Sequence, residues 1–266
     1  MNIIVCVKQV NDPEAPPSSF KIDPAANKVI PPPGMPPVIN IFDEYAVEAA
    51  LRVKEKVGGK ITVLSLGINL MRDVVKKPLA MGADDLVLLE DPAFADGDVW
   101  STAYALSLAI KKIGVYDLIL CGRQAADWDA GQVGSGIAEI LGLPSVTIVR
   151  KLEVVGDKAL VERVIADGFE LIEVSLPAVV TLSNEHPTPR YPNVKGIMMA
   201  RRMEPIVWKP ADIGAEPAKI GASGSRAKLM KLFQPVRDTK CEFILGDTPE
   251  DAVDKLAVKL RENKVL

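Results

Sequence analysis

A run of polar residues and glycines in the middle of the chain has the composition of an anion-binding loop. Its polar members are Arg123, Gln124, Asp127, Trp128 and Asp129. The glycines that follow them are Gly131, Gly134 and Gly136. Glycine lets a ligand approach the backbone closely, and free backbone N–H groups at the start of a helix stabilise a phosphate. The chemistry that this run favours is therefore the binding of a phosphate-bearing ligand.

The run lies between a predicted strand and a predicted helix. Residues 118–121 are apolar throughout, as in a strand that is buried on both faces. After the glycines, Ile137, Ile140 and Leu141 recur at helical spacing, and Gly142 ends the pattern. The stretch has neither the Gly-Lys-Ser/Thr of a Walker loop nor the G-x-G-x-x-G spacing. An ordinary strand-to-helix turn is therefore the alternative to a nucleotide site.

Strand-like and helical patterns alternate through the first half of the chain. The predicted strands are residues 2–7, 61–66, 86–89, 118–121 and 145–149. The predicted helices are an element that ends at Gly58, residues 71–81, residues 98–114 and the helix after the glycine-rich loop. This alternation predicts an α/β fold with a mainly parallel, doubly wound, Rossmann-like sheet, in which ligands bind beyond the carboxyl ends of the strands.

Three predicted strand ends carry small or polar residues that suit a ligand crevice. They are Lys8 and Gln9 after the first strand, Ser65 to Gly67 at the end of the second, and the loop from Gly122. Asn40 precedes the helix that ends at Gly58, and we expect its side chain to cap that helix rather than contact a ligand.

The pattern changes after Lys151. Alternating apolar residues predict a hairpin that turns at Gly156, and two further strand-like runs flank Pro177. An irregular segment over residues 187–193 follows, and a short basic helix is predicted over residues 197–202.

The last quarter of the chain is expected to form an extended arm. We predict an α/β domain over residues 1–203 and a C-terminal arm over residues 204–266, whose final helix begins at Thr248. The arm has too little apolar periodicity for a core of its own, so we expect it to pack on a partner subunit. The alternative is that it folds back on its own domain.

Composition excludes several classes of function. The net charge of -3 gives no electrostatic reason to expect a nucleic-acid partner. The apolar runs are shorter than a membrane span and no signal sequence is evident, so we expect a cytoplasmic protein without membrane insertion. The cysteines Cys6, Cys121 and Cys241 suit buried thiols better than disulfides. With His186 as the one histidine, a histidine-based metal site or catalytic triad is excluded, and no metal is expected.

Four segments together resemble the beta subunit of the electron transfer flavoproteins, and the resemblance extends over essentially the whole chain. They are V-C-V-K-Q-V from Val5, N-I-F-D-E-Y-A-V-E-A-A-L-R-V-K-E-K from Asn40, G-R-Q-A-A-D-W-D-A-G-Q-V-G from Gly122, and V-E-R-V-I-A-D-G-F-E…L-P-A-V-V-T from Val161. The resemblance implies an adenine nucleotide alpha hydrolase-like domain that pairs with an alpha subunit, which holds an FAD. In simple members the beta subunit holds AMP, whereas in bifurcating members that site holds a second FAD that is reduced by NADH.

The resemblance also implies the residues of the cofactor site. They are Cys6, Lys8, Asn40, Ile41, Phe42, Asp43, Leu66, Arg123, Gln124, Ala125, Asp127, Trp128, Asp129, Ala130, Gly131, Gln132, Val133 and Gly134. In this arrangement the backbone amides of Ala130 to Gly134 would hold phosphate, while Cys6 and Leu66 would flank the adenine or ribose. No side chain of the chain is required as a general acid or base, because the cofactor supplies the chemistry.

A partner-recognition loop is implied at about residues 187–198, with Tyr191, Val194, Ile197 and Met198 as the contacts. Val194 occupies the anchor position where leucine is usual, and it would bury less apolar area. The implied partner is an acyl-CoA dehydrogenase-like or other oxidoreductase.

The identity of the nucleotide stays open at the level of the sequence. Residues 7–10 and 132–134 resemble the FAD-holding members more than the simple ones. Ala130, Gly131 and Trp128 depart from them, because Trp128 stands where a flavin or its linker needs room. The sequence favours FAD over AMP. The functional alternative from another class is a stand-alone adenine-nucleotide-binding regulator.

Overall fold

The computed structural model describes residues 1–235 and 240–266. Its strands are β1 Asn2–Val7, β2 Gln9–Val10, β3 Lys21–Asp23, β4 Lys28–Ile30, β5 Val38–Ile39, β6 Lys60–Gly67, β7 Asp85–Glu90, β8 Leu118–Gly122, β9 Ser145–Val155, β10 Lys158–Ile165, β11 Gly168–Ser175, β12 Ala178–Leu182 and β13 Ile206–Trp208. Its α-helices are α1 Ile41–Val57, α2 Arg72–Val75, α3 Lys77–Met81, α4 Val99–Ile113, α5 Val133–Leu141, α6 Val194–Arg202, α7 Gly221–Gly224 and α8 Pro249–Glu262.

One nine-stranded sheet organises the described residues, in the order β11-β10-β9-β12-β8-β1-β6-β7-β13. Neighbouring strands in the part of the sheet with the order β9-β12-β8-β1-β6-β7-β13 pair in parallel. The remaining pairs, β9 with β10 and β10 with β11, are antiparallel and form a meander. Alternate side chains of β1 enter different cores: Ile3 and Val5 face the core that includes α1, whereas Ile4 and Cys6 face the core that includes α4 and α5. Burial on both faces explains the apolar strands, and the predicted doubly wound α/β fold is confirmed.

Two predicted elements have different limits in the structure. The predicted helix over residues 71–81 is divided into α2 and α3, because Pro78 lacks an N–H group and its ring opposes a continuous helix. The strand predicted to end at Val149 continues to Val155. Ile148 adopts a positive φ of 59°, and the pairing of β9 with β12 shifts register there, so a bulge separates two parts of one strand.

The sheet extends past the predicted domain boundary at residue 203. Strand β13 pairs in parallel with β7, and Ile213 and Ile220 lie buried in the core on the α4 side. A strand of three residues was too short to be recognised from its pattern. The later part of the arm differs, because α8 has no buried residue and Cys241 is exposed, contrary to the prediction of a buried thiol.

Within the described residues, no helix is long and apolar enough to cross a membrane.

Candidate functional site

The candidate site lies where three parallel strands end side by side. Strand β1 is flanked by β8 on one side and by β6 on the other. The chain continues from β1 to β6 and β7, and only then crosses to β8 on the opposite side of β1. The boundary between β1 and β8 is therefore a topological switch point, where the following loops diverge and leave a crevice. Lys8 follows β1 at this point, and Arg123 follows β8.

The loop between β8 and α5 carries half of the predicted cofactor residues, and the first turn of α5 carries two more. Asp129 has a φ of 51° and Gly131 a φ of 64°, so the chain reverses sharply before helix α5 begins at Val133. The first amides of α5 have no intrahelical acceptor, and Gln132 provides no side-chain cap. The positive end of a nine-residue helix therefore lies at the end of this loop.

Trp128 lies in this loop, and it is 60% exposed. Ala130, Gly131 and Gln132 are also exposed.

Asn40 holds the same loop from the neighbouring helix. Its Nδ2 donates to the carbonyl oxygen of Gln124 at 2.8 Å, and its Oδ1 accepts from the backbone N–H of Ala126 at 3.0 Å. Asn40 stands at the N-cap position of α1 but makes no side-chain capping bond. The predicted capping role is therefore wrong, because the loop takes both hydrogen-bonding groups of the amide.

Asp43, one turn further along α1, joins the ends of β1 and β8. One carboxylate oxygen accepts from the N–H of Lys8 at 2.7 Å and the other from the N–H of Gly122 at 3.1 Å. The residue is only 6% exposed. Burial raises the pKa of Asp43 to about 7, although these hydrogen bonds oppose the shift. Asp43 therefore fixes the spacing of the two strand ends that border the crevice.

Two contacts of aspartate side chains lie at the crevice, one across it and one within the loop. The Lys8 ammonium group lies 2.7 Å from a carboxylate oxygen of Asp127, which ties the end of β1 to the loop. The Gln124 amide donates to Asp129 at 2.7 Å within the loop. Both partners of the Lys8–Asp127 pair are partly exposed, so water and a bound anion can compete with it.

Arg123 offers a buried hydrogen-bond donor that no group in the described part of the chain accepts. Its backbone N–H donates to the carbonyl oxygen of Leu182, which aligns the loop with the end of β12. Its guanidinium carbon lies 4.9 Å from the centre of the Phe42 ring, and its buried Nε has no partner among the described residues. A buried guanidinium nitrogen without an acceptor suits a ligand with anionic or carbonyl oxygens, so the donor set of the crevice fits a nucleotide.

The remaining predicted residues lie around the same crevice. Cys6 is buried beside Cys121, and the hydrogen bond between the thiols together with burial raises the pKa of Cys121. Leu66 is half-buried at the end of β6, and Ile41 is exposed at the start of α1. Ala125 is half-buried within the loop. The structure thus brings the predicted cofactor residues to one edge of the sheet.

Two of the predicted glycines allow close packing of helix α5. A Cβ atom at Gly134 would lie 2.6 Å from Cγ2 of Thr181, and one at Gly136 would lie 2.9 Å from Cβ of Ala103. Helix α5 therefore packs against β12 and α4 through these positions. Thr181 was not among the predicted residues; its only sequence signal is a hydroxyl near the end of an apolar strand.

The predicted partner-binding residues form a separate, exposed surface. Tyr191 is 93%, Val194 74%, Met198 53% and Ile197 39% exposed. The segment predicted as a loop is helical from Val194, because Oδ1 of Asn193 accepts from the N–H of Gly196 at 2.8 Å and caps α6.

Arg190 fixes the approach to this surface. Its Nε lies 2.8 Å from Oε2 of Glu48, its backbone N–H donates to the same oxygen at 3.1 Å, and Nη1 pairs with Glu55. Arg52 also pairs with Glu48, at 2.7 Å. Burial would raise the pKa of Glu48, but the hydrogen bonds from Arg190 and Arg52 outweigh it and hold the pKa below its usual value.

Comparison with known proteins identifies the family. The sequence model of the electron transfer flavoprotein domain matches residues 35–213. The electron transfer flavoprotein subunit beta of Thermoanaerobacterium thermosaccharolyticum is 42% identical, over all of both chains. The caffeyl-CoA reductase-Etf complex subunit CarD of Acetobacterium woodii is 39% identical, also over all of both chains. The acryloyl-CoA reductase electron transfer subunit gamma of Anaerotignum propionicum is 35% identical, over 97% of this chain and 99% of the relative.

These relatives are named for electron transfer, which does not favour the alternative of a stand-alone nucleotide-binding regulator. The model match covers well over half of the chain, and the relatives align with it nearly end to end. The chain therefore belongs to the electron transfer flavoprotein family, among the beta subunits that carry electrons together with an alpha subunit.

Proposed function

We propose that the crevice between β1 and β8 binds FAD, and that the chain is the beta subunit of an electron-bifurcating flavoprotein. The observation that carries the nucleotide site is the buried Nε of Arg123, which has no acceptor among the residues that the structure describes and lies in the loop that leads to α5. A buried donor of this kind is costly unless a ligand satisfies it. The free amides at the start of α5 supply a second group of donors for the same ligand.

The residues of this chain would bind and orient the cofactor, while the flavin itself would accept and donate the electrons. The amides of residues 130–134 would hold phosphate. Lys8 would exchange its contact with Asp127 for a ligand oxygen, and Arg123 would remain stacked on Phe42. Cys6 and Leu66 would border the base or ribose at the strand ends.

FAD is preferred to AMP because the segments at residues 7–10 and 132–134 resemble the FAD-holding members more than the simple ones. Trp128 departs from those members, and it is 60% exposed. In this proposal NADH reduces the flavin of the beta subunit, and a second FAD is held mainly by the alpha subunit.

The arm and the exposed surface near α6 suggest where partners bind. Met230, Phe243 and Leu245 are each more than 80% exposed, and we assign the arm beyond about residue 225 to the interface with the alpha subunit. The surface of Tyr191, Val194, Ile197 and Met198 is assigned to an oxidoreductase. Two relatives carry the names of caffeyl-CoA and acryloyl-CoA reductase systems, so an acyl-CoA oxidoreductase is the partner to test first.

The cofactor content of the heterodimer tests the proposal. The chain is co-expressed with its alpha subunit, the complex is denatured, and the released nucleotides are separated and quantified. We expect two FAD per heterodimer and bleaching of flavin absorbance by NADH. One FAD and one AMP per heterodimer would overturn the assignment of FAD.

A matched pair of variants locates the site. Arg123→Gln is expected to lose the nucleotide of the beta subunit. Arg163→Gln, which removes an exposed arginine paired at 3.7 Å with Glu170 on the hairpin, should retain it. Equal nucleotide content in both variants would place the site elsewhere.

A further inference from the structure

We infer that Asn40 and Asp43 are positioning residues, which shape the nucleotide loop through hydrogen bonds to its backbone and leave the ligand contacts to other groups. This inference rests on the proposed nucleotide site and assigns it a scaffold. The two residues occupy the first turn of α1, and the loop that they hold lies about eighty residues later in the chain.

Asn40 acts as a two-pronged clamp on the loop. Both polar atoms of its side chain are engaged, one with the carbonyl of Gln124 and one with the N–H of Ala126. The residue is 1% exposed, so water does not replace these partners. A side chain whose donor and acceptor are both satisfied by the loop has little capacity left for a ligand.

Asp43 extends the same scaffold to the strand ends. Its two oxygens accept separately from Lys8 and Gly122, so that one carboxylate spans β1 and β8. Gly122 allows this approach, because a Cβ atom there would lie 2.4 Å from Oδ1 of Asp43 and 2.7 Å from the backbone carbon of Phe42. The start of α1 is thereby pressed against the end of β8, directly before Arg123.

The scaffold holds part of the loop backbone without using a cation. Gln124 and Ala126 are fixed by an uncharged amide, whereas Lys8 contacts the loop through the partly exposed carboxylate of Asp127, and the Arg123 Nε has no acceptor among the described residues. These cations remain for the phosphates or carbonyls of a nucleotide. Loss of the clamp would let the backbone of residues 123–132 take several conformations, and binding would have to select the competent one.

The test uses the heterodimer and measures both binding and loop order. Asn40→Ala is expected to weaken the binding of added FAD or AMP at least about tenfold, since two hydrogen bonds to the loop are lost. Hydrogen exchange, recorded without nucleotide, should show faster exchange of the Ala126 amide. Asn40→Asp keeps the acceptor for Ala126 but places a buried carboxylate against the carbonyl oxygen of Gln124 and beside Asp43, so it should weaken binding at least as much as Asn40→Ala.

Asp91→Ala is the matched control, because Asp91 also follows a strand and accepts one backbone N–H, from Ala93 at 2.9 Å, but it does not touch the loop. It should leave FAD affinity and Ala126 exchange unchanged. If Asn40→Ala weakens binding while Ala126 stays protected, Asn40 contacts the nucleotide directly and the inference is overturned. Unchanged binding with a deprotected Ala126 would overturn it as well.

The proposed function can fail independently of this inference. A wild-type heterodimer that binds neither nucleotide in the beta subunit would refute the site, whereas the exchange of Ala126 reports the clamp without any ligand. Asp43→Asn serves as the second variant if Asn40→Ala does not fold. It places an NH₂ group against one of two backbone N–H groups, and it should loosen the Lys8 or the Gly122 amide and weaken nucleotide binding.

Discussion

Helix α1 anchors two segments of the chain, and it does so in two chemically different ways. At its first turn, Asn40 accepts from the N–H of Ala126 at 3.0 Å and holds the nucleotide loop. Two turns later, Glu48 accepts from the N–H of Arg190 at 3.1 Å and holds the approach to α6. The first anchor grips the backbone with an uncharged amide, whereas the second couples its carboxylate to Arg190 and Arg52.

The chemistry of each anchor suits the segment that it holds, the nucleotide loop in one case and the partner surface in the other. At the nucleotide loop, a clamp without cations leaves Lys8 and Arg123 for an anionic ligand. At the partner surface, the charges neutralise one another and support apolar side chains such as Tyr191 and Val194. The pKa values of the two buried acids on α1 differ in the same way. Burial raises the pKa of Asp43 to about 7, whereas Arg190 and Arg52 keep the pKa of Glu48 low despite its burial.

The largest loss of stability is expected from breaking the charged anchor, which is the pairing of Glu48 with Arg190 and Arg52. Arg190→Met leaves the buried Glu48 with Arg52 as its remaining cation. We expect a loss of unfolding free energy on the order of 3 kcal/mol, as for other buried pairs that lose one partner. Chemical denaturation measures this loss. Glu55→Gln, at the exposed end of the same network, is the control and should cost less than about 1 kcal/mol.

A smaller loss of stability is expected from separating α1 and β8 at the contact between Asp43 and Gly122. Gly122→Ala would place a Cβ atom 2.4 Å from Oδ1 of Asp43, so the helix must shift away from the strand end. Overpacking of this kind costs about 1–3 kcal/mol. Chemical denaturation and FAD titration should show reduced stability together with weaker binding. Wild-type affinity in a destabilised variant would contradict the role of this contact.

The first strands and their order of alternation could be predicted because buried parallel strands are continuously apolar. The loop from Gly122 could be recognised because its residue types suit a phosphate. The anchors could not be predicted in the same way. Ala126 lies 86 residues from Asn40, and Arg190 lies 142 residues from Glu48. A glutamate within a helix is typical of a solvent-exposed face, and the burial of Glu48 depends on Arg190, which is distant in sequence, as well as on Arg52.

The difference in pKa between the two acids predicts opposite dependences on pH. The pKa of Asp43 is raised from 3.8 to about 7, so its contribution to stability is complete below about pH 4 and is lost as the pH rises to about 7. The slope is at most about 1.4 kcal/mol per pH unit. The pKa of Glu48 is lowered from 4.5, so its contribution is present above that value and is lost only in more acidic solution.

Urea denaturation between pH 5 and pH 8 measures this contribution for the wild type and Asp43→Asn. Relative to the variant, the wild type should lose stability from pH 5 to about pH 7 and then change no further. Parallel curves for the two proteins would show that Asp43 does not titrate in this range.

The smallest effect on stability is expected at the exposed ion pair across the crevice. Asp127→Asn removes the partner that lies 2.7 Å from Lys8, and it should change unfolding free energy by less than about 1 kcal/mol. The released ammonium group should then bind ligand phosphate more readily, so FAD should bind more tightly in a calorimetric titration. Weaker binding would mean that Asp127 itself holds the nucleotide.

Hydrogen exchange of the wild type, Asn40→Ala and Glu48→Gln in the heterodimer compares the two anchors most directly. Asn40→Ala should speed exchange of the Ala126 amide and leave Arg190 protected. Glu48→Gln should speed exchange of the Arg190 amide and leave Ala126 protected. If each variant loosens both segments equally, or neither variant loosens its own, then α1 does not hold the nucleotide loop and the partner surface through separate anchors.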